Sequence, residues 1–296
     1  MPSRRRCVTL SGPVIAAVLF AALLHASWNA LIKSAPDKAL DTGLVHSIGV
    51  LFALPLLALT GLPAAAAWPY LAASALVHVG YYIALAGAYQ HGDLGLTYPI
   101  MRGCAPLLVA LGSHQLVGEQ LSATAWLGVV GVCVGVVVLG LSPASLRAGH
   151  ASRNKALRFA LFNALIIALY TVVDGLGVRA AGDAGAYVAA LFLFDGIPYL
   201  LLVLWRRGPA GRAAALGYLA RRARIAWLGT LASLGSYAIA LWAMTRAPVA
   251  VVAALRETSV LFAVLIGTLW LREPFGAHRA VGVLVMLAGI LALRAG

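Results

Sequence analysis

The chain has 296 residues, of which 62% are hydrophobic and only 10% are charged, and its mean hydropathy is +0.93. Soluble proteins average about 45–50% apolar and about 25% charged residues, so this composition excludes a soluble cytosolic enzyme and indicates a membrane protein. The formal net charge of +13 is concentrated between apolar runs, which is typical of loops facing anionic lipid. Nucleic-acid binding is the weaker interpretation, because no basic stripe alternates with exposed aromatic residues.

Apolar runs long enough to cross a bilayer follow one another along the chain. About 20 apolar residues span the hydrocarbon core, and backbone groups at that depth must pair within their own segment, so each run predicts a helix. The runs cover residues 12–32, 43–92 (divided in two by Gly61-Leu62-Pro63), 94–116, 123–143, 157–178, 185–205, 225–245, 248–271 and 276–294. They predict an all-α polytopic membrane protein with ten transmembrane helices.

The two ends of the chain leave two questions open. The first run follows Arg4-Arg5-Arg6 and has the alternative of a cleaved secretory signal, although its continuation to Lys33 favours a retained helix. Most basic residues lie in the loops between helices 1 and 2, 5 and 6, 7 and 8, and 9 and 10. The positive-inside rule therefore places both termini outside, whereas Arg4-Arg5-Arg6 alone argues for the reverse.

A shift of 154 positions aligns the two halves of the sequence. The matched pairs are Arg102 and Arg256, Glu119 and Glu273, Gly128 and Gly282, and Gly135 and Gly289, without a gap. Glycine matches arise by chance in apolar helices, but matched charges are rare there, which favours a true repeat. The sequence thus predicts two five-helix repeats, residues 1–146 and 147–296. Because five is odd, the second repeat is inverted and the shared site lies near the membrane midplane.

Polar side chains in helix 1 are the first candidates for a substrate cavity. His25 and Asn29 are one turn apart on one face, with Trp28 beside them. Ionisable and amide side chains at membrane depth usually face the bundle interior or water, so we expect these three residues to bind substrate. The alternative places Trp28 in the interfacial aromatic belt and His25 in a helix-packing contact.

Helix 4 carries Tyr98 and Arg102 on one face, and Pro99 and Pro106 weaken the helix around them. A planar guanidinium next to such a break is suited to a carboxylate or phosphate. We therefore expect Tyr98 and Arg102 to bind substrate. The alternative is an arginine that extends to the lipid headgroups.

Carboxyl groups in helices 6 and 9 are candidates for coupling to protons. Arg256 and Glu257 are adjacent in helix 9 and point to different faces, so Arg256 pairs across the bundle, with Asp174 or Asp195 as partners, and Glu257 takes another partner. We expect Arg256 and Glu257 to bind substrate, and Asp174 and Glu257 to couple transport to protons. Structural ion pairs explain the same residues equally well.

No catalytic, metal or cofactor site is predicted. Histidines and the three cysteines lack metal-ligand spacing, and the GxxxxGK[ST], GxSxG and HExxH motifs do not occur. An intramembrane enzyme and a non-transporting membrane subunit are the alternative classes. Gly131 and Gly135 form a GxxxG pattern suited to close helix contact, either within one chain or between two, so both monomer and homodimer fit.

Three segments resemble the EamA family of the drug/metabolite transporter superfamily. They are Leu24-His25-Ala26-Ser27-Trp28-Asn29, Tyr98-Pro99-Ile100-Met101-Arg102-Gly103-Cys104-Ala105-Pro106 and Ala253-Ala254-Leu255-Arg256-Glu257-Thr258-Ser259. The resemblance covers nearly the whole chain and implies two EamA repeats and a secondary permease, often an exporter, of small metabolites such as amino acids. By position it implies a central cavity built by His25, Trp28, Asn29, Arg102, Arg256 and Glu257. The second half lacks a close copy of the helix 1 segment, and family members usually have cytoplasmic termini.

The sequence as a whole predicts a secondary transporter of the bacterial inner membrane that works by alternating access. Basic residues predominate in the expected cavity, which favours an anionic or zwitterionic small molecule with a carboxylate or phosphate. Proton exchange is the expected driving force. The expected surroundings are the lipid bilayer, without nucleic acid.

Overall fold

The computed structural model describes residues 11–91, 94–140, 150–269 and 275–296, and within these ranges the chain is helical, without a strand. The helices are α1 (Gly12–Lys33), α2 (Lys38–Thr60), α3 (Trp68–His91), α4 (Leu94–Gly112), α5 (Ala123–Gly140), α6 (His150–Ala180), α7 (Ala184–Asp195), α8 (Pro198–Arg206), α9 (Gly208–Met244), α10 (Val249–Arg256), α11 (Ser259–Leu269) and α12 (Ala277–Ala295). The predicted all-α fold is confirmed. Arg4-Arg5-Arg6 and Glu273 lie outside the described residues.

The helices form the membrane spans that the apolar runs predict. Among the described residues, nine helical stretches are long and apolar enough to cross a membrane. Helix α3 has 24 residues, contains no Asp, Glu, Lys or Arg, and coincides with the third predicted span. The spans Ala184–Arg206 and Val249–Leu269 each consist of two helices, α7 with α8 and α10 with α11. The chain is a multi-pass integral membrane protein.

Because successive spans cross in opposite directions, the connections fall on two faces of the membrane. Face A, where α1 begins, carries the turns around residues 61–67, 118–122, 181–183 and 245–248. Face B carries the turns around residues 34–37 and 207. Hydrogen bonds within each face agree with this assignment, for example from the Ala64 N–H to the Ala181 carbonyl oxygen on face A (3.1 Å).

Helix α9 begins 17 residues before the predicted span of residues 225–245. It contains 37 residues, about 55 Å at 1.5 Å per residue, whereas about 20 residues suffice to cross the hydrocarbon core. Residues 208–224 are rich in alanine and arginine, which are strong helix formers, so the helix continues through a segment too basic to count as a span. The first turns of α9 therefore lie at face B.

The helix contacts follow a symmetric pattern. Helix α5 packs against α12, α2 against α7, α1 against α9, and α3 against α6. Helices five spans apart correspond to each other: α1 to α6, α2 to α7, α3 to α9 and α5 to α12. Exchanging corresponding helices leaves the α5–α12 and α2–α7 pairs unchanged and turns the α1–α9 pair into the α3–α6 pair. Two repeats related by a two-fold axis in the membrane plane predict this pattern.

Helices α5 and α12 show the relation in detail. Gly128 lies against Leu293, and Leu139 lies against Gly282, so the residue numbers run in opposite directions along the contact and the helices are antiparallel. A shift of 154 residues takes Gly128 to Gly282 and Leu139 to Leu293, so the second contact repeats the first with the two helices exchanged. The glycines of α5 thus serve a contact within one chain.

Gly135 is one of the glycines that allow the close approach of these two helices. A Cβ atom at this position would lie 2.8 Å from the Met286 nitrogen and 2.9 Å from its Cα, so a side chain would push backbone against backbone. We expect Gly135→Val to lower the free energy of unfolding by about 3 kcal/mol, measured by denaturant titration in detergent. Gly80→Val is the matched control, since a Cβ at Gly80 meets nothing within 4 Å. Equal losses in the two variants would contradict this account of the contact.

Candidate functional site

Helix α10 lies at the centre of the bundle and contacts α1, α4, α5, α6 and α9. Its residues Val249–Leu255 are all buried. The helix ends at Arg256, where Glu257 and Thr258 form a tight turn before α11 begins: the Glu257 N–H donates to the Ala254 carbonyl oxygen (3.1 Å). The sequence contains no proline or glycine here, so the predicted span of residues 248–271 was continuous. The interruption places two charged residues inside the bundle.

A narrow cavity opens beside this interruption. Its polar lining consists of Arg102 from α4, Tyr170 and Thr171 from α6, and Arg256 and Glu257. The remaining walls are apolar. The structure therefore brings three of the predicted site residues, Arg102, Arg256 and Glu257, to one cavity. Helix α4 is continuous through both of its prolines, so the break falls in the other half of the molecule.

Arg102 and Glu257 form an ion pair across the cavity. The Arg102 Nε lies 3.0 Å from Glu257 Oε2, and the two side chains are only 11% and 6% exposed. A second guanidinium nitrogen of Arg102, Nη2, lies 3.4 Å from the Ser259 hydroxyl oxygen. This pair joins the first half of the chain to the second. Removing either partner would leave a buried charge without its counterion.

Arg256 has a different environment. Its guanidinium carbon lies 5.2 Å from the centroid of the Tyr237 ring, a cation–π contact. In the part of the chain that the structure describes, no carboxylate oxygen lies within 4.0 Å of this guanidinium. The direct ion pair with Asp174 or Asp195 that the sequence suggested is not formed there, because Tyr237 lies between Arg256 and Asp174.

Asp174 is completely buried in α6 and is held by two tyrosines. The Tyr187 hydroxyl donates to Asp174 Oδ1 at 2.9 Å, and the Tyr237 hydroxyl donates to Oδ2. Ser74 and His78 of α3 also interact with this carboxyl group. Within the described ranges, no lysine or arginine forms an ion pair with it. Tyr237 therefore links a buried carboxyl group to the cavity arginine Arg256.

The helix 1 candidates lie outside the described lining of the cavity. Trp28 makes edge-on contacts with the rings of His25 (5.3 Å) and His46 (6.1 Å). The Asn29 amide donates to the carbonyl oxygen of His25 at 2.7 Å. His25 interacts electrostatically with the two cavity arginines. The side chain of Tyr98 lies outside what the structure describes, although its backbone belongs to α4. Substrate binding by these four residues stays a prediction.

The tyrosines around the site were missed by the sequence analysis. Tyr170 lines the cavity and stacks on His78 with ring centroids 4.5 Å apart, while Tyr187 and Tyr237 hold Asp174. In predicted helices 6 to 9, only charged side chains were considered as candidates. A buried tyrosine hydroxyl also needs a hydrogen-bond partner, so tyrosines in apolar spans are a usable signal.

At face A, Glu119 fastens the first half of the chain to α10. Its carboxylate accepts hydrogen bonds from the Val249 N–H at the start of α10 (2.9 and 3.1 Å) and pairs with Arg179 of α6 (2.6 Å). The same guanidinium donates to the carbonyl oxygens of Met244 and Ala247. These bonds give Glu119 a structural role. A negative charge at a helix N-terminus is stabilising.

Glu119→Gln should loosen the start of α10, because the neutral amide is a weaker acceptor for both partners. We expect amide hydrogen exchange at residues 249–252 to become roughly tenfold faster, which corresponds to a loss of about 1.4 kcal/mol. Asp183→Asn is the matched control: that carboxylate accepts the Ala186 N–H (2.8 Å) at the start of α7, within one half. Unchanged exchange at residues 249–252 in both variants would refute the role of Glu119.

A multi-pass helical bundle with a charged cavity beside an interrupted span has the organisation of a membrane transport protein. Residues 154–295 match the model of the EamA-like transporter family. The second half of the chain is thus similar to this family, and the resemblance seen in the sequence is confirmed over these residues.

Further comparisons concern the fold alone. No curated protein matches the sequence. Solved structures of 28 chains match the fold. One of them, described only as "Crystal structure of protein", superimposes with a TM-score of 0.73 at 16% identity, over 95% of this chain and 94% of the other.

Proposed function

We propose that this protein is a secondary transporter that moves a small metabolite bearing a carboxylate or phosphate by alternating access. In this proposal residues 1–146 and 147–296 are two EamA repeats in inverted orientation, which rock about the cavity. The antiparallel packing of α5 on α12 and the symmetric helix contacts support the arrangement. The interrupted span at Glu257 and Thr258 supports a site at this depth.

The environment of Arg256 carries the proposal for an anionic group. A guanidinium at membrane depth is costly unless an anion or a water-filled cavity compensates it. Arg256 lines the cavity and lies over the Tyr237 ring, without a described carboxylate in ion-pair contact. A planar fork of donors facing an open space suits the carboxylate or phosphate of a substrate.

In the neighbouring ion pair, Glu257 competes with the substrate for Arg102. Arg102 is held by Glu257 across the two halves. An anionic substrate that binds Arg256 also approaches Arg102 and competes with Glu257 for it. Binding of substrate and release of Glu257 are then linked, and a freed Glu257 can accept a proton. This exchange is one route by which protons drive transport.

Asp174 provides the second route for protons. Its carboxyl group is buried without an ion pair to a described lysine or arginine, and Tyr237 joins it to Arg256. A change of charge at Asp174 therefore reaches the substrate arginine through one side chain. We propose Asp174 and Glu257 as the coupling groups, with His25, Trp28, Asn29 and Tyr98 completing the substrate site.

The remaining features of the proposal follow the family resemblance. Export is the proposed direction, the bacterial inner membrane is the proposed location, and the active unit is a monomer or a homodimer. Neither nucleic acid nor a cofactor has a role in the proposed cycle.

Transport in liposomes tests the function. The purified protein is reconstituted, and small carboxylates, phosphates, amino acids and neutral metabolites are screened for uptake with and without an imposed pH gradient. We expect uptake of at least one anionic or zwitterionic solute and acceleration by the gradient. A folded preparation that moves none of these solutes would refute the proposal, and exclusive uptake of neutral solutes would refute the anionic site.

A further inference from the structure

A second cavity lies at face B, outside the proposed substrate site. It is a shallow depression between α1, α2 and α9. Its walls are apolar, formed by Leu31, Ile32, Val45, Ile225 and Ala226. Ile225 is 38% exposed, so the cavity is a groove on the lipid-facing surface of the bundle. A groove of this character suits an acyl chain.

An ion pair closes the polar end of the groove. Arg222 Nη2 lies 2.7 Å from Asp41 Oδ2, and both residues line the groove. A further hydrogen bond joins Arg222 Nε to the same oxygen at 3.1 Å. The groove therefore changes from apolar to charged along its length, as a phospholipid does.

The chain around this end is strongly basic. Residues 205–224 contain six arginines and no aspartate or glutamate. Arg207 and Arg222 pair with Asp37 and Asp41. The other four arginines are exposed, and none forms an ion pair with a described carboxylate; they are Arg206, Arg212, Arg221 and Arg224. The balance of charge at the mouth of the groove is thus positive.

This basic segment packs beside the start of α2. Asp37, just before α2, pairs with Arg207 (2.7 Å), and its N–H donates to the Tyr218 hydroxyl (3.2 Å). The side chains at both ends of residues 207–218 therefore contact Asp37. Ala215 and Leu219 are buried against the bundle, whereas Leu216 is 62% and Trp205 70% exposed. Exposed tryptophan and leucine among arginines are typical of the interface between lipid and water.

We propose that this groove is a binding site for one anionic phospholipid of the bilayer. An acyl chain lies against Leu31, Ile32 and Ile225, and the phosphate lies at the end of the groove marked by Arg222. The exposed Arg221 and Arg224 attract the headgroup through their charge, from other faces of the same helix. The arginine fork binds phosphate in two places, and basic side chains at a membrane surface attract anionic headgroups. The inference is independent of the transported substrate.

Native mass spectrometry of the full-length protein in detergent tests the site. The probes are phosphatidylglycerol and phosphatidylcholine with identical acyl chains. We expect the wild-type protein to retain one phosphatidylglycerol in preference to phosphatidylcholine. Arg221→Gln combined with Arg224→Gln should weaken phosphatidylglycerol binding roughly 30-fold, from the loss of two surface cations.

The matched control removes the same charge from other exposed positions. Arg246→Gln combined with Arg294→Gln changes one arginine in the turn after α9 and one near the C-terminus, both on face A. Phosphatidylglycerol binding should be unchanged in this variant. Equal weakening in both variants, or equal retention of the two lipids by the wild-type protein, would overturn the site.

Two further measurements separate a lipid from a simple anion. Ile225→Asn places an uncharged polar group in the groove and should weaken retention of phosphatidylglycerol without adding a charge beside the arginines. Inorganic phosphate at millimolar concentration should not displace the lipid, because it lacks the acyl chain. Displacement by phosphate, or undiminished lipid binding in Ile225→Asn, would show an anion site only and would overturn the proposal.

Discussion

Arg256→Gln is expected to reduce transport of an anionic solute by about 100-fold while the protein still folds. A charged hydrogen bond to the substrate contributes about 1.5–3 kcal/mol, and the remaining cation, Arg102, is held by Glu257. Since Arg256 has no described carboxylate in ion-pair contact, its removal leaves no buried carboxylate behind. The measurement is uptake into liposomes of the solute identified by the screen, together with unfolding in detergent.

The chain offers a close control for this variant. Arg246 also lies over an aromatic ring, that of Trp242 at 4.7 Å, but it is exposed in the turn after α9. Arg246→Gln removes the same charge and the same kind of ring contact outside the cavity, and transport should stay within about twofold of the wild type. Equal rates for Arg256→Gln and Arg246→Gln would reject the anionic site.

Arg102→Gln should behave differently from Arg256→Gln. It leaves Glu257 buried without its partner, which costs about 3–5 kcal/mol when one member of a buried pair is removed. We therefore expect loss of stability as well as loss of transport. Combining Arg102→Gln with Glu257→Gln should restore most of the stability but not the transport. A double variant as unstable as the single one would contradict the pairing.

Asp174→Asn should separate transport from the proton gradient. Asparagine has nearly the same shape, its oxygen accepts the hydrogen bond from one tyrosine, and its amide donates to the hydroxyl oxygen of the other. We expect the fold and solute exchange to persist, with acceleration by an imposed pH gradient abolished. The measurement compares exchange and gradient-driven uptake of the same solute. Gradient-driven uptake at the wild-type rate would exclude Asp174 as a coupling group.

The two tyrosines that hold Asp174 provide an internal comparison. Tyr237→Phe breaks the link between Asp174 and Arg256 but keeps the aromatic ring under the guanidinium. Tyr187→Phe removes an equivalent hydrogen bond (2.9 Å) on the side away from the cavity. Tyr237→Phe should impair gradient-driven uptake at least tenfold more than Tyr187→Phe. Equal effects would indicate that Tyr237 has only a structural role.

Much of the architecture was predictable because the bilayer restricts the choices. Uncharged runs of about 20 residues leave the backbone no alternative to a helix, and the spans lie where these runs occur. The predicted span of residues 225–245 begins too late for α9, because residues 208–224 are helical through local propensity and are not apolar. Hydropathy detects membrane depth and not the length of a helix that continues along the surface.

Less of the candidate site was predictable. The clustering of Arg102, Arg256 and Glu257 followed from the rule that charges at membrane depth face the interior. The partners did not, because they depend on how helices rotate against one another. The interruption after Arg256 lacks a proline or glycine, so no local signal marks it. The sequence placed the helix break beside the cavity in α4, at Pro99 and Pro106. In the structure both prolines are accommodated within a continuous helix.

Helix α10 is held by the first half of the molecule at both of its ends. Glu119 accepts a hydrogen bond from its first N–H, that of Val249, and Arg102 binds the glutamate that follows its last residue. The eight-residue helix is only about 12 Å long, so it acts as a short rigid strut between the water-exposed rim and the interior. A solute that separates Arg102 from Glu257 releases this end of α10, and the helix then pivots about the end bound by Glu119.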